Sequence, residues 1–229
     1  MPRVNDVRFI GPVMGRYALA SRMRLPGPQV FACRLQSIST QQLVASAPVP
    51  GQEGEAITVN FEPFGTLRGS VARLIDGGFS MEIVGGTEDG ERLARKIDWY
   101  KRRTFAGVTD KRRHRRFMPR EPRSAVVLHS GAVLPCLVID ISSSGAAVSA
   151  DYEPSLGEPL AVGRALGRVV RTLEVGFAVQ FIEASEIETV EEMLRAPQEW
   201  QRAMIERVAP PRLDAANLDE LPSWSLAVG

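Results

Sequence analysis

The feature that most constrains the fold of this chain is an internal repeat. Residues 69–83 read GSVARLIDGGFSMEI and residues 167–181 read GRVVRTLEVGFAVQF, so Gly, Val, Arg and a later Gly-Phe pair fall at matching positions. An earlier pair of segments also matches, with ACRLQSIS at residues 32–39 and PCLVIDIS at residues 135–142. Both pairs occur in the same order with similar separations. We therefore predict that one fold is present twice in the chain.

Each copy has the pattern of a β-domain, because short apolar or alternating runs are separated by Gly, Ser and Pro turn residues. The predicted strands of the first copy span residues 15–20, 30–35, 42–46, 56–61, 67–75 and 79–84. Those of the second copy span residues 125–128, 135–141, 146–150, 159–163, 167–173 and 176–182. Short strands at regular spacing favour a closed antiparallel barrel, since closure removes exposed strand edges. The predicted fold class is mainly β, with two tandem six-stranded antiparallel barrels, each followed by an α-helix.

A helix is predicted after each run of strands. The first spans residues 87–103, where Leu93, Ile97 and Tyr100 form an apolar stripe that can lie across the mouth of the barrel. The second opens at residues 185–188 with Ser-x-x-Glu, a capping-box pattern.

The second helix is expected to continue to about residue 208, with a kink or restart at Pro197. The remaining stretch has weak periodicity and several prolines, so we expect a tail. The predicted domains are a first barrel with its helix at 1–103, a basic linker at 104–123, a second barrel with its helix at 124–208, and a tail at 209–229.

The linker is strongly basic. Between residues 101 and 123 the chain has ten Lys or Arg residues and only two acidic residues, Asp110 and Glu121. Such a local excess of positive charge creates a potential that attracts anions. By itself the run also fits a solvated surface segment.

Several function classes are disfavoured. The two cysteines, Cys33 and Cys136, lie far apart in apolar runs without a metal-binding spacing, so we expect no metal and two buried free thiols in a reducing compartment. The N-terminal residues lack a signal-peptide pattern, and no run approaches the roughly 18 apolar residues of a membrane span. Neither histidine has a nucleophile at a recognisable spacing. We expect a cytoplasmic protein that is not an enzyme and needs no cofactor.

Two short motifs in the second copy carry candidate ligand chemistry. Arg112 and Arg116 enclose an R-x-x-x-R pattern, and Asp140 opens D-x-S-x-x-G with Ser142 and Gly145. Arginine makes bidentate, charge-assisted hydrogen bonds to phosphate and stacks on purine faces. A carboxylate at a strand end can accept hydrogen bonds from the N–H groups of guanine, and glycine lets the backbone turn tightly.

These residues resemble the PilZ family of bacterial cyclic di-GMP receptors. The resemblance rests on RRHRR at 112–116, DISSSG at 140–145 and the strand pair at 167–181 before a helix, and it covers residues 110–195. It implies a six-stranded antiparallel barrel preceded by an arginine loop that wraps cyclic di-GMP against the outer surface of the barrel.

The resemblance also implies a role for each motif residue. The arginines of R-x-x-x-R would bind phosphate and the Hoogsteen edge of guanine, and Arg113 would be an auxiliary contact. The aspartate and serine would read guanine, and the glycine would shape the turn. The implied ligand-binding residues are Arg112, Arg113, Arg116, Asp140, Ser142 and Gly145.

The first copy departs from this pattern. Ser37 stands where the second copy has Asp140, and Gln42, which lacks the freedom of glycine, stands in place of Gly145. The segment before it has no R-x-x-x-R, and Arg8 with the Phe after it is the nearest trace. We predict a degenerate barrel that packs or signals without binding nucleotide.

Together these observations predict a cyclic di-GMP receptor or adaptor. Nucleotide binding would order the linker and change the relative orientation of the barrels, and an unidentified downstream protein in the control of motility, adhesion or exopolysaccharide output would read the change. Two alternatives remain: an interaction adaptor that binds no nucleotide, and nucleic-acid binding through the linker. The scarcity of aromatic residues in the linker, only Phe105 and Phe117, disfavours nucleic acid.

Overall fold

The chain folds into two six-stranded barrels of the same topology. The computed structural model describes residues 7–104 and 117–196. The first barrel contains β1 (Arg8–Leu19), β2 (Val30–Ser39), β3 (Gln42–Ser46), β4 (Ala56–Phe61), β5 (Gly65–Ile75) and β6 (Gly78–Ile83), followed by α1 (Thr87–Thr104). The second contains β7 (Arg123–Leu128), β8 (Val133–Ser142), β9 (Gly145–Ala150), β10 (Pro159–Val162), β11 (Ala165–Leu173) and β12 (Gly176–Phe181), followed by α2 (Ile187–Leu194).

Strand order is the same in the two barrels. Around the first barrel it is β1-β2-β3-β6-β5-β4, and around the second it is β7-β8-β9-β12-β11-β10. All pairs are antiparallel, and each barrel is closed by pairing its first strand with its fourth, β1 with β4 and β7 with β10. The predicted fold class is therefore confirmed.

The repeated sequence segments encode the same local irregularities. The β2–β3 register shifts between Leu35 and Ser37, and the β8–β9 register shifts between Val138 and Asp140. A bulge of this kind inserts one residue into a strand and changes the direction of the side chains beyond it. The fifth and sixth strands of each barrel share a second irregularity, because β5 is bulged against β6 and β11 is bulged against β12.

The repeated Gly-Phe pair has a steric explanation. A Cβ atom on Gly78 would lie 2.0 Å from the carbonyl oxygen of Ala45, and one on Gly176 would lie 2.0 Å from that of Val148. Each glycine therefore allows two neighbouring strands to approach closely. The Phe after it, Phe79 or Phe177, is fully buried.

The two cores differ in the size of their side chains. The first is built around aromatic rings, and its largest fully buried side chains include Tyr17, Phe31, Phe61, Phe64 and Phe79. Among the described residues, the second core cluster contains two aromatic side chains, Phe177 and Phe181. Most of its other members are Val and Ala.

The apolar stripe of α1 closes the mouth of the first barrel as predicted. Leu93 and Ile97 are buried in the core cluster, and the Tyr100 ring packs edge-on against the rings of Phe9 and Phe64, with centroids 5.2 and 5.3 Å apart. The described part of the helix extends to Thr104, one residue beyond the predicted end.

Strand β1 begins at Arg8, seven residues before its predicted start at residue 15. Gly11, Pro12 and Gly15 interrupt the alternation of apolar and polar residues, which hides the strand in the sequence. Its pairing with β2 nevertheless continues through a register shift between Ile10 and Val13.

The capping-box prediction for α2 is wrong. The N-cap is Glu186 and not Ser185, and no side chain caps the helix. The reason is a tertiary contact, because the Ser185 N–H donates to the carbonyl of Ser143 (2.9 Å) in the β8–β9 turn. The described part of α2 ends at Leu194, and the predicted continuation beyond Pro197 and the tail lie outside the described residues.

The barrels contact each other through the outer face of β2, which packs against β8 and β9. The Ala32 N–H donates to the hydroxyl of Ser149 (2.9 Å), a residue that is fully buried outside the core cluster of its barrel. Two ion pairs flank this contact: Arg16 with Glu174, at 2.5 Å, and Arg22 with Asp151.

Candidate functional site

The D-x-S-x-x-G motif occupies the end of β8 and the turn into β9. Ile141 points into the core and is 1% exposed, while Asp140 and Ser142 on either side of it are partly exposed. The bulge before Asp140 produces this arrangement, because Val138 is also buried and would share a face with Asp140 in a regular strand. A carboxylate and a hydroxyl therefore stand on the outer surface of the barrel.

Ser142 and Gly145 close the turn, but the glycine acts differently from the expectation. The Ser142 hydroxyl donates to the carbonyl of Gly145 (3.3 Å). Gly145 has no positive φ, so the turn does not require a glycine. A Cβ atom there would lie 2.4 Å from the carbonyl oxygen of Val179, so glycine is needed for the close approach of β12.

The equivalent turn of the first barrel shows the same point. The Ser39 hydroxyl donates to the carbonyl of Gln42 (3.1 Å) and accepts from its N–H (3.1 Å). The expectation that Gln42 hinders the turn is therefore wrong, because the serine closes both turns whether the later residue is Gln or Gly.

The segment that follows the arginine motif is paired with the D-x-S-x-x-G strand. Phe117 and Ile141 form an antiparallel bridge in which each N–H donates to the carbonyl of the other, both at 2.9 Å. A further hydrogen bond, from the Val138 N–H to the carbonyl of Pro122 (2.6 Å), ties the same segment to β8. We call residues 117–123 the strap.

Arg112, Arg113 and Arg116 lie outside the described residues. The structure thus brings together the acidic half of the predicted site, Asp140 and Ser142 beside Gly145, and the roles of all six residues stay a prediction.

The first barrel contains the same arrangement with different side chains. There Phe9 pairs with Ile38, as Phe117 pairs with Ile141, and Arg8 precedes Phe9 as Arg116 precedes Phe117.

Arg8 lies opposite Ser39, and its Nη2 atom reaches diagonally to the Ser37 hydroxyl at 3.4 Å. Ser37 pairs with Val44 just after the bulge of β2, as Asp140 pairs with Ala147 just after the bulge of β8. The barrels therefore present Ser37 and Asp140 at equivalent positions.

The sequence did not point to the residues that hold the strap. On the first barrel, the Arg34 Nη1 atom donates to the carbonyls of Pro119 (2.5 Å) and Arg120 (3.2 Å). On α2, Glu191 accepts from the Arg120 N–H at 2.6 Å. No motif marks these side chains, and only the folded chain brings them to one segment.

A second group of charges fixes the end of the strap. Arg123 donates to Glu121 (2.9 Å) within the strap and to Asp76 (2.5 Å) in the β5–β6 turn of the first barrel. Its hydrogen bond to Glu121 raises the pKa of Arg123. Burial opposes the ionisation of Glu121, but the hydrogen bonds from Arg123 outweigh it and lower the pKa of Glu121.

Two clefts lie away from the D-x-S-x-x-G motif. A cleft of about 720 Å³ lies on the first barrel between α1 and the ends of β5 and β6, and Arg68, Arg92 and Lys96 are among its lining residues. A cleft of about 370 Å³ lies between the strap and the first barrel, with Arg34 and Asp76 in its wall.

Within the described residues, no set of three or more His, Cys, Asp or Glu side chains is placed to hold a metal ion. Among residues 7–104 and 117–196, no helix has both the length and the apolar character needed to cross a membrane.

Residues 110–196 match the sequence model of the PilZ domain. A search of curated proteins finds no match. Similar solved structures include PlzA of Borreliella burgdorferi in complex with c-di-GMP, with 12% identity over 79% of this chain and 85% of that chain and a TM-score of 0.27.

Two others are the inhibitor of motility MotI/DgrA of Bacillus subtilis and YcgR of Escherichia coli in complex with c-di-GMP. The first has 13% identity over 87% of this chain and 99% of that chain, with a TM-score of 0.26. The second has 14% identity over 85% of this chain and 83% of that chain, with a TM-score of 0.25. At these scores, no feature of this chain is inferred from those structures.

Proposed function

We propose that the protein is a bacterial receptor for cyclic di-GMP that acts in the cytoplasm, because residues 110–196 match the sequence model of the PilZ domain. The nucleotide would bind on the outer surface of the second barrel, where the arginine segment meets the D-x-S-x-x-G turn. The protein would act by binding and not by catalysis, and cyclic di-GMP would be a ligand and not a cofactor.

The observation that carries this proposal is the bridge between Phe117 and Ile141. Hydrogen-bonded partners in an antiparallel pair have Cα atoms about 5.5 Å apart, and consecutive Cα atoms are about 3.8 Å apart. Arg116 directly precedes Phe117, and Asp140 and Ser142 stand on either side of Ile141. Continued antiparallel pairing would set Arg116 opposite Ser142, and we expect its side chain to reach the acidic motif from there.

The internal repeat supports a more specific geometry. In the first barrel, the Arg8 side chain crosses from its place opposite Ser39 to Ser37, a diagonal contact of the kind common between antiparallel strands. The equivalent contact in the second barrel would run from Arg116 to Asp140, an arginine to a carboxylate.

The chemistry of these residues suits a doubly anionic guanine nucleotide. Arg112 and Arg116 would bind phosphate and the Hoogsteen edge of guanine through planar, charge-assisted contacts, with Arg113 as an auxiliary contact. Asp140 would accept hydrogen bonds from guanine N1–H and N2–H₂, and Ser142 would add a hydroxyl. Gly145 would contribute by letting the strands beneath the ligand close tightly.

The signal would leave through the strap. Nucleotide binding would fix the arginine segment against the second barrel, and the strap contacts both barrels through Ile141 and Arg34. A change at one end would then alter the preferred orientation of the barrels. A downstream protein would read that change, and motility, adhesion and exopolysaccharide production are the outputs that this family membership suggests.

Calorimetric titration with cyclic di-GMP tests the proposal. We expect the parent chain to bind, and Asp140→Ala and Arg116→Ala to weaken binding by about 100-fold or more, because truncating one side of a charged hydrogen-bonded contact costs several kcal/mol. The matched control is Ser37→Ala, the equivalent change in the first barrel, which should leave the affinity within about twofold of the parent.

The same titration with GTP and with a single-stranded oligonucleotide provides the specificity arm. A parent chain that binds either of them as tightly as cyclic di-GMP would overturn the proposal in favour of a general anion site. A parent chain that binds none of the three would favour an interaction adaptor.

A further inference from the structure

We propose that Arg34 of the first barrel is a positioning residue for the nucleotide site of the second barrel. It would act through the strap, without contacting the nucleotide. This inference rests on the proposed function of the second barrel and assigns a role in that function to the copy that lacks the ligand motif.

Arg34 holds the strap at two consecutive peptide groups. One guanidinium nitrogen donates to the carbonyls of both Pro119 and Arg120, at 2.5 and 3.2 Å. These carbonyls lie only three and four residues after Arg116. Burial lowers the pKa of Arg34, while nearby Glu121 and Glu191 oppose that effect, so this side chain is partly removed from water.

The strap is connected to three parts of the molecule at once. Its start is paired with β8 through Ile141, its middle is bonded to Glu191 of α2, and its end is bonded to Asp76 of the first barrel. Arg34 of the first barrel holds the strap at Pro119 and Arg120, near its start. Its loss would release the part of the strap nearest to the proposed ligand contacts.

This arrangement has a direct consequence for affinity. A loop that is already held in its binding conformation loses less conformational entropy when the ligand arrives. Releasing the strap would add that entropy loss to the binding step. By linkage, nucleotide binding must in turn strengthen the contact between the first barrel and the strap.

The repeat shows that Arg34 is specific to the first barrel. Arg34 pairs with Ser46, and the residue of the second barrel in the same register is Leu137, which pairs with Ser149. Leu137 is fully buried and cannot donate a hydrogen bond. The position therefore carries a donor only in the copy that faces the strap.

The experiment compares three variants of the full chain. Arg34→Met removes the donor and keeps a similar aliphatic stem, and Arg34→Lys restores a positive donor. Arg16→Met is the matched control, because Arg16 also joins the barrels, through its ion pair with Glu174 in the β11–β12 turn. Hydrogen–deuterium exchange without nucleotide reports on the strap amides, and calorimetry reports the affinity for cyclic di-GMP.

We expect Arg34→Met to accelerate exchange of the strap amides about tenfold and to weaken cyclic di-GMP binding about tenfold, with exchange in the barrel strands unchanged. Arg34→Lys should recover part of both losses, and Arg16→Met should leave both within about twofold of the parent.

Parent-like affinity in Arg34→Met would overturn the inference whether or not strap exchange changes, as would an equal loss in Arg16→Met. If the parent chain itself does not bind cyclic di-GMP, the proposed function fails first, and this inference fails with it. The two failures are therefore distinguishable.

Discussion

The two barrels have one backbone plan and two different chemistries. They share the same strand order and the same bulges, and they have glycines at equivalent points where a neighbouring strand comes close. They differ at the position after the first bulge, where the first barrel has the buried Ser37 and the second has the partly exposed Asp140. Backbone irregularities are shared because each is fixed by contacts with neighbouring strands. Strand pairing uses only the backbone at this position, so its side chain can differ between the copies without loss of the fold.

The comparison extends to the barrel interiors. The first is filled by aromatic side chains and closed by the long helix α1, whereas the second is filled by smaller side chains and closed by the short described helix α2. The same topology therefore accommodates cores of different composition. A barrel requires its interior to be filled by apolar side chains, and it does not require a particular residue type to fill it.

The largest predicted effects test whether the barrels are equivalent at their repeated glycines. Gly78→Ala and Gly176→Ala should each lower the free energy of unfolding by about 3 kcal/mol, because the added methyl group would collide with a backbone carbonyl in either barrel. Urea denaturation of the two variants measures the loss.

Gly54→Ala and Gly157→Ala provide the matched controls for this pair. Both glycines have a φ near +80° and open space around the missing Cβ atom. Each substitution should therefore cost only about 1 kcal/mol, the backbone penalty of a side chain in the left-handed region. Losses that differ widely between Gly78 and Gly176 would break the proposed equivalence.

A second prediction concerns two of the ion pairs between the barrels, Arg22 with Asp151 and Arg16 with Glu174. Asp151→Ala should lower the free energy of unfolding by about 2 kcal/mol, because it leaves the charge of Arg22, whose side chain is 10% exposed, without its carboxylate. Glu174→Ala removes the partner of Arg16 in a pair that is far more exposed, and it should cost less than about 0.5 kcal/mol. Chemical denaturation measures the free energy of unfolding of both variants. If other contacts alone held the barrels together, the two variants would lose similar amounts.

A third prediction uses the one cysteine in each barrel. Both are buried free thiols, and burial raises the pKa of Cys136 to about 12 and that of Cys33 further. An unfolded thiol has a pKa of about 8.5. Above that pH the buried thiols of the folded chain keep protons that the unfolded chain has lost. The free energy of unfolding should therefore fall as the pH rises from 8.5 to 10, by up to about 1.4 kcal/mol per pH unit for each thiol.

Alkylation followed by mass spectrometry would sharpen this result barrel by barrel. At pH 8 both thiols should react only when their barrel opens, and Cys136, in the core with smaller side chains, should react before Cys33. Equal rates would show that the barrels open as a single unit. A Cys33→Ala, Cys136→Ala double variant should lose most of the pH dependence of unfolding.

Much of the fold could be predicted because strand segments repeat with recognisable residues. The sequence patterns placed most strands within a few residues, but the start of β1 was missed because Gly11 and Pro12 disguise a bulged strand. A shorter repeat, GEAITV at 54–59 and GEPLAV at 157–162, could have aligned the fourth strands as well.

Less of the candidate site could be predicted. The motif located Asp140 and Ser142, but the reason for Gly145 was misjudged because the neighbour that requires glycine, Val179, is distant in sequence. The same holds for the capping of α2, where a bond from Ser185 to Ser143 replaces a local cap.

The amino-acid sequence by itself determined the duplication, the antiparallel barrels and the D-x-S-x-x-G motif, because each depends on side-chain pattern and local backbone preference. The tertiary structure alone decided where the strap is held, since Arg34, Asp76 and Glu191 come from three separate elements. Contacts between residues far apart in the chain depend on how the barrels close and pack, and no short segment of sequence encodes that geometry.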